Sequence, residues 1–328
     1  MPRRRVTFSR NVFLPLTTVC RNRCAYCGFR RPVGPGCLMR PGEVRAVLDE
    51  GVRTGCTEAL FTFGERPEEM PGFGTELAAV GEESVLDYCR RLCLDAIERG
   101  LLPHTNAGVL AENELASLAE VNASMGLMLE TTAQVRAHEG SPGKDPAVRL
   151  ATIEAAGRLR IPFTTGLLLG IGETAADRLE SLEAIAALHR RYGHIQEVIV
   201  QNFAPQEGTG MAGAPTIAPG EYCATVRLAR EVLPADVAVQ VPPNLADAAA
   251  LVRCGADDLG GVSPCSIDHI NPDHPWPAVD DLRRTLGPDA ELVERLCIHP
   301  RYVERGWYST SLAPLVRRLS ERPREQQH

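Results

Sequence analysis

Cys20, Cys24 and Cys27 form a C-x3-C-x2-C pattern within eight residues, while the other eight of the chain's eleven cysteines are scattered. Thiolates are soft ligands that select zinc or iron–sulfur clusters. A structural zinc site needs a fourth ligand, and within about 20 residues only Cys37 offers one. Three thiolates alone would hold three irons of a 4Fe-4S cube and leave the fourth open to substrate or cofactor. The spacing favours that cluster over a zinc site built with Cys37 or three incidental loop cysteines. Cys89 and Cys93, one helical turn apart, read as small buried hydrophobes. The spacings among Cys254, Cys265 and Cys297 match no compact thiolate motif.

Such a loop needs a scaffold that brings polar groups to it. Short β-like apolar runs alternate with longer helical patterns along the chain. The expected strands are 12–16, 59–63, 103–106, 124–129, 163–169, 197–202, 237–241 and 258–262. Helices are expected at 41–50, 84–99, 112–120, 146–160, 174–192, 218–233 and 245–253, the last with Asn244 as N-cap. Eight such units over about 250 residues predict an α/β fold, a (β/α)8 TIM-type barrel. The alternation also suits a doubly wound open sheet, but that fold wants a Gly-rich loop after its first strand, where this chain has its cysteines. One barrel domain over 1–328 is expected, with a Pro-rich final loop and a helical extension from about 278. That extension includes helices at 278–286 and 289–296 and a frayed basic tail after Ser320.

Barrel active sites form where strands end at the C-terminal rim. The cysteine loop leaves the first strand there, Glu65 ends the second and Glu130 the fourth. Gly166, Gly170, Gly172 and Glu173 lie in or just after the fifth. Carboxylates there can accept from an ammonium or a diol, and glycines admit a purine to the backbone. Taken singly, Glu65 reads equally as a solvated loop acid and the glycines as a barrel bend. Their joint occurrence favours a site. The eighth loop adds Ser263, Ser266, Asp268, His269 and Asn271, and the third strand His104 and Asn106, all suited to a polar ligand or to capping turns. Asp268 beside His269 could set the imidazole's tautomer and basicity, which makes this pair the candidate proton carrier.

The 328 residues are 44% apolar and 23% charged, which excludes a disordered or fibrous chain. A net charge of −7 supplies no positive field, so no nucleic-acid or membrane partner is expected. The Arg-rich start is followed by no apolar signal region, and the protein is expected in the cytoplasm.

The cysteine loop after the first strand resembles that of the radical S-adenosylmethionine (SAM) superfamily. There, three cysteines hold a 4Fe-4S cluster and the methionyl amine and carboxylate of S-adenosyl-L-methionine chelate the fourth iron. The resemblance implies that Tyr26 lies where the backbone approaches adenine and that Gly64-Glu65 receives the methionyl ammonium. It also implies that Glu130 binds the ribose, that the stretch from Gly166 to Glu173 backs the adenine, and that Asn202 is a cofactor contact.

A narrower resemblance, to the CofG family, rests on segments 8–13, 60–68, 103–108, 124–130, 137–144, 192–203, 241–245 and 258–264. The most telling segment is Asp268-His-Ile-Asn-Pro-Asp-His-Pro-Trp-Pro277. This family contains subunits of the synthase of 7,8-didemethyl-8-hydroxy-5-deazariboflavin (FO) in coenzyme F(420) biosynthesis. It implies a carbon–nitrogen lyase acting on the CofH product, 5-amino-5-(4-hydroxybenzyl)-6-(D-ribitylimino)-5,6-dihydrouracil. Hydrogen abstraction by a 5′-deoxyadenosyl radical leads to ring closure and loss of ammonia. A functional pairing with CofH and an external one-electron reductant are implied as well.

One segment departs from that pattern. After Asn202-Phe203 the family continues with a basic residue and a Pro-Gly-Thr turn, whereas this chain reads Ala204-Pro-Gln-Glu-Gly-Thr-Gly210. The change keeps two further classes open: a related radical enzyme on another aromatic or amino-acid-derived substrate, and a non-catalytic metal-binding barrel. The latter has no use for a nucleoside pocket. If Cys20, Cys24 and Cys27 are the only ligands, replacing any one with Ala abolishes or degrades the 4Fe-4S absorption after reconstitution, while Cys37→Ala leaves it intact.

Overall fold

In the computed structural model, which describes residues 3–321, the alternation becomes eight parallel strands closed into a barrel and wrapped by helices. The chain runs β1 (Arg4–Leu14), α1 (Pro41–Arg53), β2 (Glu58–Thr62), α2 (Phe73–Ala78), α3 (Val85–Arg99), β3 (Leu102–Asn106), α4 (Glu112–Ala119) and β4 (Ser124–Gly126). It continues with α5 (Pro146–Arg158), β5 (Phe163–Leu169), α6 (Ala175–Tyr192), β6 (Ile195–Asn202), α7 (Pro219–Val232), β7 (Ala238–Gln240), α8 (Ala248–Cys254) and β8 (Asp258–Val262). Last come α9 (Val279–Leu286), β9 (Ala290–Glu294), α10 (Pro300–Glu304) and α11 (Ala313–Ser320). Strands β2 to β8 neighbour one another in chain order, and β1 closes the ring by pairing with both β8 and β2.

Helix α3 shows how sequence makes these elements. The Ser84 hydroxyl caps it by accepting the Asp87 amide, and Gly100 ends it at φ +88°. Between them Val85, Tyr88, Cys89, Leu92, Cys93 and Ala96 form one buried stripe. Cys89 and Cys93 are fully buried there, packing as hydrophobes.

Four expectations change. β1 begins eight residues before the expected start, because Val6, Phe8, Val12 and Leu14 alternate with the inward Thr7, Ser9 and Asn11 despite the flanking arginines. β4 stops at Gly126 and not near Leu129, although the Leu127 and Glu130 amides still donate to the Thr164 and Gly166 carbonyls of β5. Residues 290–294 form a strand, not a helix: β9 adds in parallel to Arg4–Phe8 outside the closed ring. Helix α8 is capped by Asp247, which accepts from the Ala250 amide, while Asn244 is drawn away to Asp268 and His274. The tail after Ser320 lies almost wholly outside the described residues. Cys254 pairs with Cys223 in a disulfide between α8 and α7.

The N-terminal end of the barrel is closed by charge and by apolar packing. Inward carboxylates of Glu58, Glu197 and Asp258 meet the buried guanidinium of Arg295, just after β9. Arg295 Nε lies 2.6 Å from Asp258 Oδ2, and its terminal nitrogen bonds Glu197. Ser9 donates to Glu58 and Thr164 to Glu197, each at 2.7 Å. Burial pushes Glu58 up to about 7. Glu197, Asp258 and His299 are spaced as an ion's ligands could be, but Arg295 already bonds both carboxylates. Beneath this layer Ile298, Tyr302, Leu312 and Val316 pack against Leu102 and Ala123. Among the described residues no helix is long and apolar enough to cross a membrane.

Arg295→Met leaves the Glu197 and Asp258 charges buried without a counter-charge. The expected loss is about 3–5 kcal/mol of stability, read as a lower urea midpoint.

Candidate active site at the barrel mouth

The cysteine loop is laced to its surroundings through the backbone. It passes so close to the end of β2 that a Cβ on Gly64 would lie 1.9 Å from the Val19 carbonyl and 2.8 Å from Cys20 Cβ. Gly64 is therefore required by close approach. The next amide, of Glu65, donates to Cys20 Sγ at 3.2 Å, and the Arg21 amide donates back to the Glu65 carbonyl. The rest of the loop hangs on residues 137–143. Arg23 N–H donates to Ser141 Oγ, Gly143 N–H to Asn22 Oδ1, and Ala25 N–H to the Ala137 carbonyl, at 2.8–2.9 Å.

The three thiols are free and half-buried. Their sulfurs do not gather within 4.8 Å of one another, as ligands of one ion would; among the described residues only Glu197, Asp258 and His299 do so. A 4Fe-4S cluster does not require such closeness, since each thiolate takes a different iron. Burial raises the Cys20 thiol above its usual range, so ligation there would release a proton.

A buried ionic chain runs beside the loop. Glu65 Oε1 accepts from Arg21 Nε at 2.8 Å and Oε2 from the Val109 amide at 2.9 Å. Arg149, itself buried, lies 3.9 Å from Glu65 and 3.8 Å from Glu130. Glu130 in turn pairs with Lys144 Nζ at 2.5 Å. Burial opposes the Glu130 charge, but Lys144 and Arg149 outweigh it and hold the carboxyl below its usual range. Glu130 has φ +70°, a conformation that costs a non-glycine residue about 1–2 kcal/mol. Its amide donates to the Gly166 carbonyl and its own carbonyl accepts from Leu168. Tyr26 lies over this chain, its hydroxyl 3.2 Å from His138 Nε2 and its ring 5.8 Å from Lys144 Nζ. Burial lowers His138 to about 4, so its imidazole is neutral near pH 7.

The expected residues divide into those with free polar atoms and those spent on the scaffold. The Glu173 carboxylate accepts from the Gly170 and Ile171 amides and from Arg178, so it shapes its own turn. Gly170 and Gly172 sit at φ +92° and +112° in that turn. A Cβ on Gly166 would lie 2.3 Å from the Ile199 carbonyl. Glu65 is likewise fully engaged by protein groups. Asn202 keeps a buried Oδ1 without a partner while its amide nitrogen donates to the Leu245 carbonyl.

In the eighth loop the expected Asp268–His269 pairing is not formed. Asp268 instead accepts from the Ile270 and Asn271 amides and from the Asn244 and Asn271 side chains, a capped turn. His269 stacks on Phe13, with ring centroids 5.3 Å apart. Ser266 accepts from the Phe13 amide and shares a hydrogen bond with Ser263, which fastens the loop to β1. His104 is buried one level below the rim, bonded to Ser124 Oγ at 2.7 Å, with its ring 3.3 Å from Asn106 Oδ1. Burial lowers it to about 4, leaving it neutral.

The mouth itself is hollow. Leu60, Thr62, Asn106, Met128, Ile199 and Gln201 are inward by alternation yet half-accessible, whereas their outward neighbours are mostly buried. Around the β6–β8 side, Asn202 Oδ1, Asn244 Oδ1 and Trp276 Nε1 are buried without partners.

Comparison with known proteins decides the family. A model described as the radical SAM superfamily matches residues 14–185, the part carrying the cysteine loop and the ionic chain. The chain is 65% identical over 322 residues to the 7,8-didemethyl-8-hydroxy-5-deazariboflavin synthase of Methanoculleus marisnigri, covering 98% of this chain and 97% of that protein. The synthase of Archaeoglobus fulgidus is 50% identical over 319 residues, covering 96% and 97%. The chain belongs to this synthase family of radical SAM enzymes. Among solved structures it resembles the hydrogenase maturase HydG, with TM-score 0.71, 15% identity and coverage of 95% of this chain and 69% of that one. Methylornithine synthase PylB gives TM-score 0.62 at 18% identity, covering 94% and 85%. At those identities the likeness is one of fold.

Sequence reasoning missed Arg21, His138, Lys144 and Arg149 as parts of the site, because a basic side chain in a helix or loop carries no signal of which strand end it faces. Two variants test the arrangement. Gly64→Ala prevents the cysteine loop from closing, which iron content after reconstitution reads as a loss. Glu130→Gln keeps the iron but weakens S-adenosylmethionine binding by about tenfold, in line with the 1.5–3 kcal/mol of a charged hydrogen bond, as calorimetry would measure.

Proposed function

We propose that this synthase converts the CofH product to FO with release of ammonia, using a 4Fe-4S cluster on Cys20, Cys24 and Cys27. The observation that carries the reading is the meeting, on one rim, of three free thiols, a buried ionic chain and a partly accessible mouth of mixed polarity in a chain 65% identical to a named synthase. Bound there, the cluster would supply the one-electron chemistry by which S-adenosylmethionine yields a hydrogen-abstracting radical.

The chain's own residues then have distinct work. Glu130 offers a carboxylate to a ribose diol, and its strained backbone fixes where that carboxylate points. Lys144 and Arg149 offer positive charge to a carboxylate. Glu65 acts through its backbone and by anchoring Arg21, and Glu173 holds the glycine turn against which a purine can lie. Tyr26 covers this side with an aromatic face. The β6–β8 side binds the substrate: the unpartnered Asn244 and Trp276 atoms match the donors and acceptors of a pyrimidine edge and a ribityl chain, and Asn202, expected at the cofactor, has its unpartnered Oδ1 on this side and is reassigned to the same ligand. Asn106, supported by the neutral His104, serves the same ligand from β3. Asp268, Ser263, Ser266 and Asn271 hold the eighth loop in place, and His269, which feels the Asp268 charge without hydrogen-bonding to it, remains the candidate proton carrier on it.

The test is to supply reconstituted enzyme, S-adenosylmethionine and a one-electron reductant with the CofH product. FO fluorescence together with 5′-deoxyadenosine is expected; 5′-deoxyadenosine without FO would assign the enzyme another substrate.

A further inference from the structure

The segment between β6 and α7 lies as a strap across the cysteine loop. Phe203, Met211 and Ala214 pack with Ala25, Tyr26 and Ala137 in a small apolar group, and the Met211 amide donates to the Ala25 carbonyl at 3.1 Å. Within the strap Gln206 touches two functional loops at once. Its side chain lies flat on Gly28, the residue after Cys27: a Cβ there would sit 1.7 Å from Gln206 Oε1. Its Nε2 donates to the Ile270 carbonyl at 2.5 Å and faces Asn271 Oδ1 at 3.4 Å. The Gln206 carbonyl accepts from Thr209 Oγ1 at 2.7 Å, which fixes the strap at this residue. From Asn271 the contacts pass to Asp268 and on to Asn244. A continuous path thus joins the loop that carries the thiols to the loops that follow β7 and β8.

We infer that Gln206 is a positioning residue: it sets the distance and angle between the substrate-binding eighth loop and the cysteine loop, so that a radical formed at one meets the substrate held by the other. This rests on the function proposed above. A half-exposed neutral hydrogen bond adds little to global stability. Displacement of reacting atoms by about 1 Å can nevertheless cost about 100-fold in rate.

The test uses Gln206→Glu, which keeps the shape but removes the donor, and Gly28→Ala, which displaces the side chain from the other side. Both should raise the ratio of 5′-deoxyadenosine to FO about tenfold, with iron content and S-adenosylmethionine affinity unchanged. Gly28→Ala should add little in a Gln206→Ala background, since only a 3.2 Å contact with the Cβ of residue 206 then remains. Independently of any substrate, hydrogen exchange at 268–274 should quicken about fivefold in Gln206→Glu. A wild-type product ratio in both single variants overturns the inference even if exchange rises. Should the wild-type enzyme make no FO, the parent reading fails, and the exchange rate alone decides whether Gln206 ties the two loops.

Discussion

Arg149 sits within 4 Å of both Glu65 and Glu130, the acids that end β2 and the β4 segment, and it also donates to the Met128 and Gly143 carbonyls. One buried guanidinium therefore ties together the strand end that supports Cys20, the strained residue at Glu130 and the segment from which the cysteine loop hangs. A lysine could not do this, because a single ammonium cannot reach two carboxylates and two carbonyls in fixed directions. Arg21 and Lys144 make the shorter contacts to Glu65 and Glu130, but each reaches only one of the two acids, and Arg149 alone spans both. The electrostatics of the site, the geometry of the thiol loop and the turn at Glu130 share this one constraint.

Much of this was legible from the sequence, and the reason is local. The strand and helix alternation, the Gly100 stop and the Ser84 cap depend on neighbours along the chain. So does the C-x3-C-x2-C spacing. The family, too, was visible in its motifs. What the sequence hid was long-range. β9 looked helical because five residues of mixed polarity say nothing of a partner some 285 positions away. Asp268 and His269 looked like a dyad because they are adjacent, yet adjacency in a loop sends side chains to different neighbours, here Asn244 and Phe13. Glu65 and Glu173 were found at the right places, but whether a carboxylate is offered to a ligand or consumed by its own scaffold depends on arginines elsewhere in the chain.

The two ends of the barrel use the same residue types for opposite purposes. At the N-terminal end Arg295 bonds Glu197 and Asp258, burial pushes Glu58 toward its protonated form, and the four side chains fill the interior. At the C-terminal end the charges stand at the wall, the inward positions are left partly open, and the amide oxygens of Asn202 and Asn244 have no partner. Satisfied polarity closes one end and unsatisfied polarity opens the other, which is how a barrel with a packed floor keeps a site at its mouth.

The position of Arg295 in the chain also bears on the order of folding. Its three carboxylate neighbours lie on β2, β6 and β8, all synthesised earlier, and β9 must add to β1, the first strand made. Until residue 295 leaves the ribosome, a closed barrel would bury two or three acids with no counter-ion. Closure before Arg295 docks is therefore disfavoured, and the pairing of β9 with β1, a contact spanning almost the full sequence, is a high-contact-order step expected to slow assembly.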